Sequence, residues 1–472
     1  MPGAIGARWV LVTSICSLAL LACTGESPGT QDVPTPRGSS SDASGPATEA
    51  PTTERHRHES EGDADQPLVI AVHHTSALRA VSLRRACRIA AGKSDLRVTT
   101  GRPQAALRAV VRDPATVAVV PAHTVGPEVR VLSVAGMDPL RVPRRYPLRA
   151  PASEPPGPVT TVTVAGDIML GRGVAEAARG SGDPAPALRP TARRLARADV
   201  TVGNLENTLS RAGAPTQGDD SFAADPAVVG ALRKAGFDVL GLANNHLGDF
   251  GDRALVQTVR RLNAGGVATF GAGATVSRAW RPAVVERDGV RFGFIGFNAI
   301  GESPSVAPGQ PGVVSVDMPP RTGPLDEAAL RRIEDSVRRL GRRVDVVVAM
   351  PHWGTQYTNR PEPIQSRVAR RLVRAGADVV VGGHPHWLQG VEIVRGRLVA
   401  HSLGNFVFDM DFMRETQEGA VLEMTFWGAE LKAAEFVPYV MDDRFAPHFV
   451  SGRRAEQVLA VMRATSGPAH SG

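Results

Sequence analysis

The chain has 472 residues, of which 42% are hydrophobic, so it is long and apolar enough for more than one domain and a sizeable core. Its formal net charge of +7 comes from an excess of arginine that is spread along the chain without interleaved aromatic residues. This pattern favours a solvated surface over a nucleic-acid interface, and we expect no nucleic-acid partner.

The N-terminus is typical of an exported protein. Arg8 precedes an apolar run over residues 9–22, which is shorter than the ~20 residues that span a bilayer. The run ends in Leu-Leu-Ala-Cys at positions 20–23, which resembles a bacterial lipobox. We therefore predict a lipoprotein signal peptide over residues 1–23, lipidation of Cys23, and anchoring to the extracytoplasmic face of the cell membrane. An ordinary signal peptide and an uncleaved anchor are the alternatives.

Two further segments precede the main domain. Residues 24–66 are polar and proline-rich, and they are predicted to form a disordered tether. Residues 67–150 have the pattern of a small α/β lobe, with strands near 68–72, 118–120 and 129–134 and a helix over 77–91. This lobe weakly resembles part of a phosphate-type periplasmic binding protein, so phosphate sensing is one interpretation of its role. A proline-rich linker follows at 151–158.

Residues 159–440 alternate strand and helix patterns and form the predicted main domain, followed by a C-terminal tail over 441–472. Buried-strand patterns at 159–165, 200–202 and 379–381 alternate with helical stripes at 330–340 and 364–372. Asp288-Gly289 lies between two strand patterns and predicts a hairpin. The alternation predicts a layered α/β fold without determining its strand order.

Polar side chains with metal-binding chemistry follow several apolar strands of this domain. Because ligands gather at the carboxyl ends of parallel strands, we expect these side chains to converge. Imidazole and carboxylate together suit a divalent cation such as zinc, manganese or iron. The alternative is that each group only caps a nearby backbone. The candidates are Asp167, Glu206, Asn245, His246, His352, His384 and His386, with His401 and Asn405 nearby in sequence.

The candidates lie in motifs with the order Gly166-Asp167, Gly203-Asn204-Leu205-Glu206, Ala243-Asn244-Asn245-His246, His352-Trp353-Gly354, Gly383-His384-Pro385-His386 and Ser402-Leu403-Gly404-Asn405-Phe406. From about Val159 to Asp409 the chain thereby resembles the CapA family of poly-γ-glutamate and capsule biosynthesis proteins. That family belongs to the calcineurin-like metallophosphoesterase superfamily. The resemblance implies a four-layer α-β-β-α sandwich with a metal site at one edge.

The resemblance also implies one or two divalent metal ions of the Mn, Zn or Fe type as cofactors. Asp167 and His386 would bind a first cation, and Glu206 would bridge both. Phosphoesterases of this superfamily usually carry Asp-x-His at the first motif, whereas Met169 stands here in place of the histidine. A thioether is a poor ligand for hard cations, so the first position has lost a ligand. His401 could replace it, although a packed histidine is the preferred interpretation.

The second cation would be bound by Asn245, His352 and His384. The resemblance places His246 beside the reacting oxygen as an acid or electrostatic partner, so His246 and Asn245 are the expected catalytic residues. Two cations held in this way could stabilise an in-line displacement at phosphorus.

Arg172 and Asn405 are the predicted substrate-binding residues. Arg172 follows the first motif and could bind a phosphate or carboxylate group through two hydrogen bonds. A solvated arginine at a helix start is the alternative. Asn405 lies in the last motif, next in sequence to the metal candidates.

These features predict an exported, lipid-anchored, metal-binding protein that acts in biosynthesis, export or trimming of a surface polymer such as poly-γ-glutamate, with phosphoesterase-like hydrolysis as one form of that action. The expected partners are the membrane and an anionic surface polymer or its synthase complex. The alternative from another class is a non-catalytic polymer-binding or assembly lipoprotein. Met169 favours this alternative, whereas the presence of the other expected aspartate, glutamate, asparagine and histidine ligands favours an enzyme.

Overall fold

The computed structural model describes residues 65–99, 101–151 and 157–470. The predicted signal peptide with Cys23, the tether up to residue 64 and most of the proline-rich linker lie outside the described residues. Within the described ranges, no helix has the length and apolar character needed to cross a bilayer.

Residues 65–151 fold around a sheet of their own. The elements in chain order are β1 (Asp65–Val72), β2 (Ala80–Val81), α1 (Leu83–Ala90), β3 (Arg97–Thr99), α2 (Pro103–Arg112), β4 (Thr116–Pro121), β5 (Arg130–Val131), β6 (Ser133–Val134) and β7 (Arg149–Pro151). The sheet has the order β3-β4-β1-β5, and β7 also pairs with β1. Val69 and Ile70 of β1 enter different apolar cores, so both faces of this strand are covered.

The larger region continues the alternation of strands and helices. Its elements are β8 (Val159–Ile168), α3 (Arg172–Ala177), α4 (Arg189–Leu195), β9 (Val200–Leu205), α5 (Val228–Lys234), β10 (Val239–Gly241), α6 (Gly251–Ala264), β11 (Ala268–Phe270), β12 (Ala272–Gly273), α7 (Val276–Ala279), β13 (Ala283–Arg287), β14 (Val290–Asn298), β15 (Gly312–Val313), α8 (Glu327–Gly341), β16 (Val346–His352), α9 (Pro363–Ala375), β17 (Val379–Val381), β18 (Val391–Val394), β19 (Arg397–Ala400), β20 (Asn405–Val407), β21 (Glu418–Trp427), β22 (Glu430–Met441), β23 (Pro447–Phe449) and α10 (Gly452–Arg463).

Most of these strands form two mixed sheets, which confirms the predicted α/β class. One sheet has the order β11-β10-β9-β8-β21-β22-β23 with β20 paired to β8, and the other has the order β13-β14-β16-β17-β19-β18. Strands β8 to β11 are parallel neighbours, as are β14, β16, β17 and β19. The predicted hairpin joins antiparallel β13 and β14, and both Asp288 and Gly289 have the positive φ that such a turn requires.

Buried apolar side chains form three cores around these sheets. The central core contains Val164 of the first sheet and Phe294 of the second. Leu232 of α5 packs in a core with the first sheet, and Leu372 of α9 packs in a core with the second. Because both faces of the second sheet are covered, its central strands β16 and β17 have nearly uninterrupted apolar sequences.

The segment predicted as a C-terminal tail contributes strand β23 and helix α10. Val458 and Met462 of α10 belong to the central core. The N-terminal sheet also packs against the larger region, because Trp427 lies in one of its cores and donates a hydrogen bond from Nε1 to Leu140 O at 2.8 Å.

Candidate metal centre

The carboxyl ends of parallel strands in both sheets bring the candidate side chains together. Asp167 lies near the end of β8, Glu206 follows β9, and Asn245 lies in the loop after β10. His352 is the last residue of β16, and His384 lies in the loop after β17. The ring centroids of His352 and His384 are 5.1 Å apart. All five side chains are buried.

Asn204 in β9 connects three of these strand ends by hydrogen bonds. Its Nδ2 donates to Asp167 Oδ1 at 2.8 Å and to Glu206 Oε2 at 3.3 Å. The same nitrogen lies 3.3 Å from His352 Nδ1, and Asn204 Oδ1 accepts from Asn244 Nδ2 at 3.0 Å. Hydrogen bonds of this kind orient the ligands of metal sites.

Glu206 faces His352 with one carboxylate oxygen that lacks a donor. His352 Nε2 lies 3.5 Å from Glu206 Oε1 and 2.9 Å from Asn245 Oδ1. Among the described residues, the buried Glu206 Oε1 has no hydrogen-bond partner. Burying a carboxylate oxygen in this way is unfavourable unless a cation compensates the charge.

The loop that carries His384 is held tightly against Asp167. A Cβ added at Gly383 would lie 2.6 Å from Asp167 Oδ1, so only glycine permits this approach. The backbone N–H of His384 donates to Asp167 Oδ2 at 3.0 Å, and His384 has a φ of 94°. Its ring is fully buried, yet neither ring nitrogen has a hydrogen-bond partner among the described residues. A strained backbone that carries an unpartnered imidazole is characteristic of a ligand-binding loop.

His386 is oriented by Asn405. His386 Nδ1 lies 2.8 Å from Asn405 Oδ1 and 3.9 Å from Asp167 Oδ2. Asn405 Nδ2 donates to Thr416 O at 3.1 Å. The side chain of Asn405, which was predicted to bind substrate, is therefore held between His386 and the backbone of Thr416.

Two compact sets of donor atoms share Glu206. One set comprises Asp167, Glu206 and His352, and the other comprises Glu206, His384 and His386; within each set the donor atoms lie within 4.8 Å of one another. The resemblance to CapA proteins pairs His386 with Asp167 and His352 with His384. In the structure, His352 instead belongs to the set of Asp167, and His386 belongs to the set of His384. Glu206 nevertheless occupies the position between both sets.

Burial has opposite effects on the pKa values of the carboxylates and imidazoles of this centre. Burial, together with the charge of Glu206, raises the pKa of Asp167 to about 7, and burial raises the pKa of Glu206 to about 8. Burial lowers the pKa of His352 to about 4, that of His386 to about 3, and that of His384 well below its usual value. The imidazoles are therefore neutral, which is their metal-binding form.

The donor set fits a divalent cation. Carboxylate oxygens, imidazole nitrogens and an amide oxygen are ligands used by zinc, manganese and iron. A cavity of about 20 Å³ lined by Asp167, Asn204 and His352 adjoins them. The unpartnered atoms of Glu206 and His384 are the ones that a cation would engage. Buried His, Glu and Asp groups could thus bind a metal, as predicted.

Met169 and His401 do not belong to either donor set. Met169 is buried in the core of the first sheet and its helices, and its Sδ accepts a hydrogen bond from Gly171 N at 3.0 Å. His401 Nε2 lies 3.1 Å from Glu392 Oε1, and its ring stacks with Trp353. His401 is therefore a packed histidine held by a carboxylate.

His246 is held by a buried carboxylate. Its Nδ1 lies 2.9 Å from Asp249 Oδ2, and its ring stacks on Phe222 with the centroids 3.9 Å apart. Burial acts to lower the pKa of His246, but the hydrogen bond that its ring donates to Asp249 and the charges of Glu206 and Asp249 outweigh it and raise the pKa. A histidine fixed at Nδ1 with a raised pKa is suited to proton donation from Nε2.

Arg172 is paired within the protein. Its Nε and Nη2 donate to the two carboxylate oxygens of Asp409 at 3.0 and 2.5 Å. The guanidinium also lies 4.3 Å from the centroid of the Phe222 ring, the same ring that stacks on His246. Arg172 begins helix α3 and its side chain is 29% exposed, so it is partly solvated as well as paired, and an anionic substrate would share it with Asp409.

Sequence reasoning missed the residues that orient the candidates. Asn204 lies in one of the motifs but carries no metal-ligand pattern of its own. Asp249 follows His246 by three residues, and that spacing could have indicated the pair. Asp409 is distant in sequence from Arg172, so no local signal identifies it.

Comparison with known proteins gives a family. Residues 161–410, just over half of the chain, match the family described as "Bacterial capsule synthesis protein PGA_cap". The solved crystal structure of a hypothetical protein from Thermus thermophilus covers 59% of this chain and 99% of its own, with 17% identity and a TM-score of 0.38.

Two curated relatives carry related names. "Capsule biosynthesis protein CapA" of Bacillus anthracis is 31% identical over 268 residues, which cover 56% of this chain and 63% of the relative. "PGA biosynthesis protein CapA" of Bacillus subtilis (strain 168) is 30% identical over 270 residues, which cover 56% of this chain and 67% of the relative. The chain thus spans less than two thirds of the length of the Bacillus anthracis relative. The match over more than half of the sequence shows that this chain belongs to the CapA family of bacterial capsule synthesis proteins.

Proposed function

We propose that this protein is a metal-dependent hydrolase of the phosphoesterase type that acts in biosynthesis, export or trimming of an anionic surface polymer such as poly-γ-glutamate. The observation that carries the proposal is Glu206, which two buried donor sets share, one with His352 and the other with His384. The names of the relatives refer to capsule and PGA biosynthesis, which supports this pathway.

The proposed architecture is the four-layer α-β-β-α sandwich of the calcineurin-like superfamily. The central core between the two mixed sheets supports it. Helices α4, α5 and α6 pack with the first sheet, and helices α8 and α9 pack with the second. In this arrangement the carboxyl ends of β8, β9, β16 and β17 form the edge that carries the donors.

The residues of the site would have two separate roles, cation binding and proton donation. A bound divalent cation would supply Lewis-acid polarisation and neutralise charge at a phosphoryl group. The carboxylate of Glu206 and the imidazoles of His352 and His384 would hold it. His246, fixed at Nδ1 by Asp249, would give a proton from Nε2 to the leaving oxygen.

The proposed location is the extracytoplasmic face of the cell membrane, with a lipid on Cys23 and a tether that ends before β1 begins at Asp65. The lipobox-like sequence at 20–23 supports it. Radioactive palmitate should label the wild-type protein, and Cys23→Ala should abolish the label and release the protein from the membrane. Labelling that persists in the variant would refute this location. The polymer or its synthase complex is the proposed partner.

A non-catalytic polymer-binding or assembly lipoprotein is the second candidate function. The buried Met169, at the position where phosphoesterases of the superfamily carry a histidine, favours it. On this view the donors hold a structural cation or none, and the polymer binds without turnover.

Metal analysis with an activity assay separates the two candidates. We expect bound divalent metal and turnover of a generic phosphodiester in the wild type, and the loss of both in Glu206→Gln and His352→Ala. Glu176→Gln is the control, because the Glu176 side chain is 66% exposed. A wild type that binds polymer without turnover, whether or not it holds metal, would support the second candidate.

A further inference from the structure

A second buried histidine cluster lies where the N-terminal sheet region meets the C-terminal segment. A cavity of about 40 Å³, here called the junction cavity, is lined by His74, Arg79 and Arg130 from one side and by Arg463 and His470 from the other. All five residues lie outside the segment 161–410 that matches the CapA family. The chemistry of the metal centre therefore does not explain them.

His470 presents polar atoms without partners to this cavity. Its side chain is only 2% exposed, and its ring stacks on that of His74 with the centroids 4.1 Å apart. Among the described residues, neither ring nitrogen of His470 has a hydrogen-bond partner, whereas His74 Nε2 lies 3.0 Å from Pro127 O. Buried polar groups in folded proteins almost always have a hydrogen-bond partner, so we expect a ligand or a water molecule to bind the ring nitrogens of His470.

Arg130 offers a second unpartnered donor. Its Nη1 donates to His74 O at 2.9 Å, and its Nη2 donates to Ser76 O at 2.6 Å and Leu78 O at 3.0 Å. These bonds fix the guanidinium plane. Its Nε is buried and has no partner among the described residues.

The charges around the cavity favour an anion. Arg79 and Arg463 share one carboxylate, that of Glu456, at 3.2 and 2.5 Å. Within the described ranges, Arg130 forms no salt bridge, and Glu435 is the one carboxylate that lines the cavity. Three guanidinium groups would repel a cation, and an apolar ligand would leave the N–H donors unpaired.

We propose that the junction cavity binds a small oxyanion, a phosphate or a carboxylate group, through Arg130 Nε–H and a ring N–H of His470. Such an anion would pair both donors and offset the excess positive charge. The cavity has room for one anionic group but not for a folded segment of polymer. Because the donors come from two segments of the chain, the bound anion would link the N-terminal sheet region to the C-terminal segment.

The test is titration of the purified full chain with inorganic phosphate and, separately, with L-glutamate, followed by calorimetry and thermal denaturation. A chelator removes divalent metal, so that phosphate bound at the metal centre does not contribute. His470→Phe keeps the stack on His74 but removes both ring nitrogens. His448→Phe is the matched control, because the His448 side chain is 52% exposed and pairs with Asp442.

We expect saturable binding of at least one anion to the wild type and to His448→Phe, weakened at least tenfold in His470→Phe. Arg79→Gln, which alters a partly exposed side chain on the opposite wall, should also weaken binding and tests the site independently of the C-terminal segment. A preference for phosphate would identify a phosphate group as the ligand, and a preference for glutamate would identify a carboxylate. Binding of neither anion, or binding unchanged in both variants, would overturn the proposal.

Discussion

The candidate metal centre and the junction cavity use the same residue type in opposite electrostatic surroundings. His352 at the metal centre lies beside the carboxylates of Asp167 and Glu206, whereas His470 at the junction cavity lies among arginines such as Arg130. Burial lowers the pKa of both imidazoles, to about 4 for His352 and about 3 for His470, so both rings are neutral near pH 7. The neighbouring charges therefore decide whether a buried histidine cluster suits a cation or an anion.

The two sites also differ in how the chain assembles them. The metal centre collects residues from the carboxyl ends of parallel strands, an edge that the α/β topology creates. The junction cavity collects residues from the two ends of the described chain, which meet where the N-terminal region packs against β22, α10 and the residues that follow α10.

The largest expected effect is loss of metal from His384→Phe with retention of metal by His470→Phe. Both substitutions replace a buried, unpartnered imidazole by a ring of similar size. Even loss of a residue that only orients a ligand weakens metal binding by ~10- to 100-fold, so loss of the ligand itself should cost ~100-fold or more. Calorimetric titration with Mn²⁺ measures both variants. Equal losses in the two variants would refute the distinction between the sites.

The substitution Gly383→Ala, which adds a methyl group beside Asp167, should have the next largest effect on metal binding. The added Cβ would lie 2.6 Å from Asp167 Oδ1 and 3.2 Å from His352 Nδ1. We expect Gly383→Ala to weaken metal binding ~10-fold or more, as for other residues that orient ligands, and to destabilise the metal-free fold by about 1–3 kcal/mol.

Gly230 in α5 is the matched control, because a Cβ there meets no atom within 4 Å. Gly230→Ala should stabilise the protein by about 0.5–1 kcal/mol and leave metal binding unchanged. Urea denaturation of both variants measures the free energy of unfolding. A Gly383→Ala variant with wild-type affinity would contradict the close approach of the His384 loop to Asp167.

Metal affinity should fall as the pH falls from 8 to 6. The pKa values of Asp167 and Glu206, raised to about 7 and about 8, mean that protons must leave these groups when a cation binds. For each group that must lose a proton, the metal affinity falls about tenfold for every pH unit below the pKa of that group. Burial lowers the pKa values of His352, His384 and His386, so these three imidazoles stay neutral over this range and add no dependence. Calorimetry in buffers of different ionisation enthalpy counts the protons, and a pH-independent affinity would contradict the burial of these carboxylates.

The smallest effect is expected for Asn405→Ala. Asn405 orients His386 through a hydrogen bond, so we expect a loss of about 10-fold in metal affinity, the lower end of the range for residues that orient a ligand. Asn263→Ala, in an exposed part of α6, should have no effect on metal binding. If Asn405→Ala left the affinity unchanged but impaired substrate binding, the sequence-based role of Asn405 would be preferred.

Local patterns in the sequence predicted the elements that depend on local physics. The strand over 379–381 and the hairpin at Asp288-Gly289 are observed where an uninterrupted apolar run and a turn dipeptide place them. The predicted helix over 77–91 is wrong in its first part, because Ala80 and Val81 pair with β6 and Ser82 then caps the helix, which begins at Leu83. That pairing is tertiary, and helical periodicity does not reveal it.

The candidate metal ligands could be identified for a similar reason. Asp167, Glu206 and His352 each lie at the end of an apolar strand, and parallel topology carries strand ends to one edge. The residues that orient them, such as Asn204, depend on distances that only the folded chain defines. The pairing of His74 with His470 has no sequence signal at all, because it depends on how the N-terminal sheet packs against α10.

The most direct test of the metal centre is anomalous X-ray scattering from crystals of the protein grown with Mn²⁺. We expect an anomalous peak at coordinating distance, about 2 Å, from a Glu206 carboxylate oxygen and a His384 ring nitrogen. A peak absent from Glu206, or present only at the junction cavity, would contradict the metal centre described above.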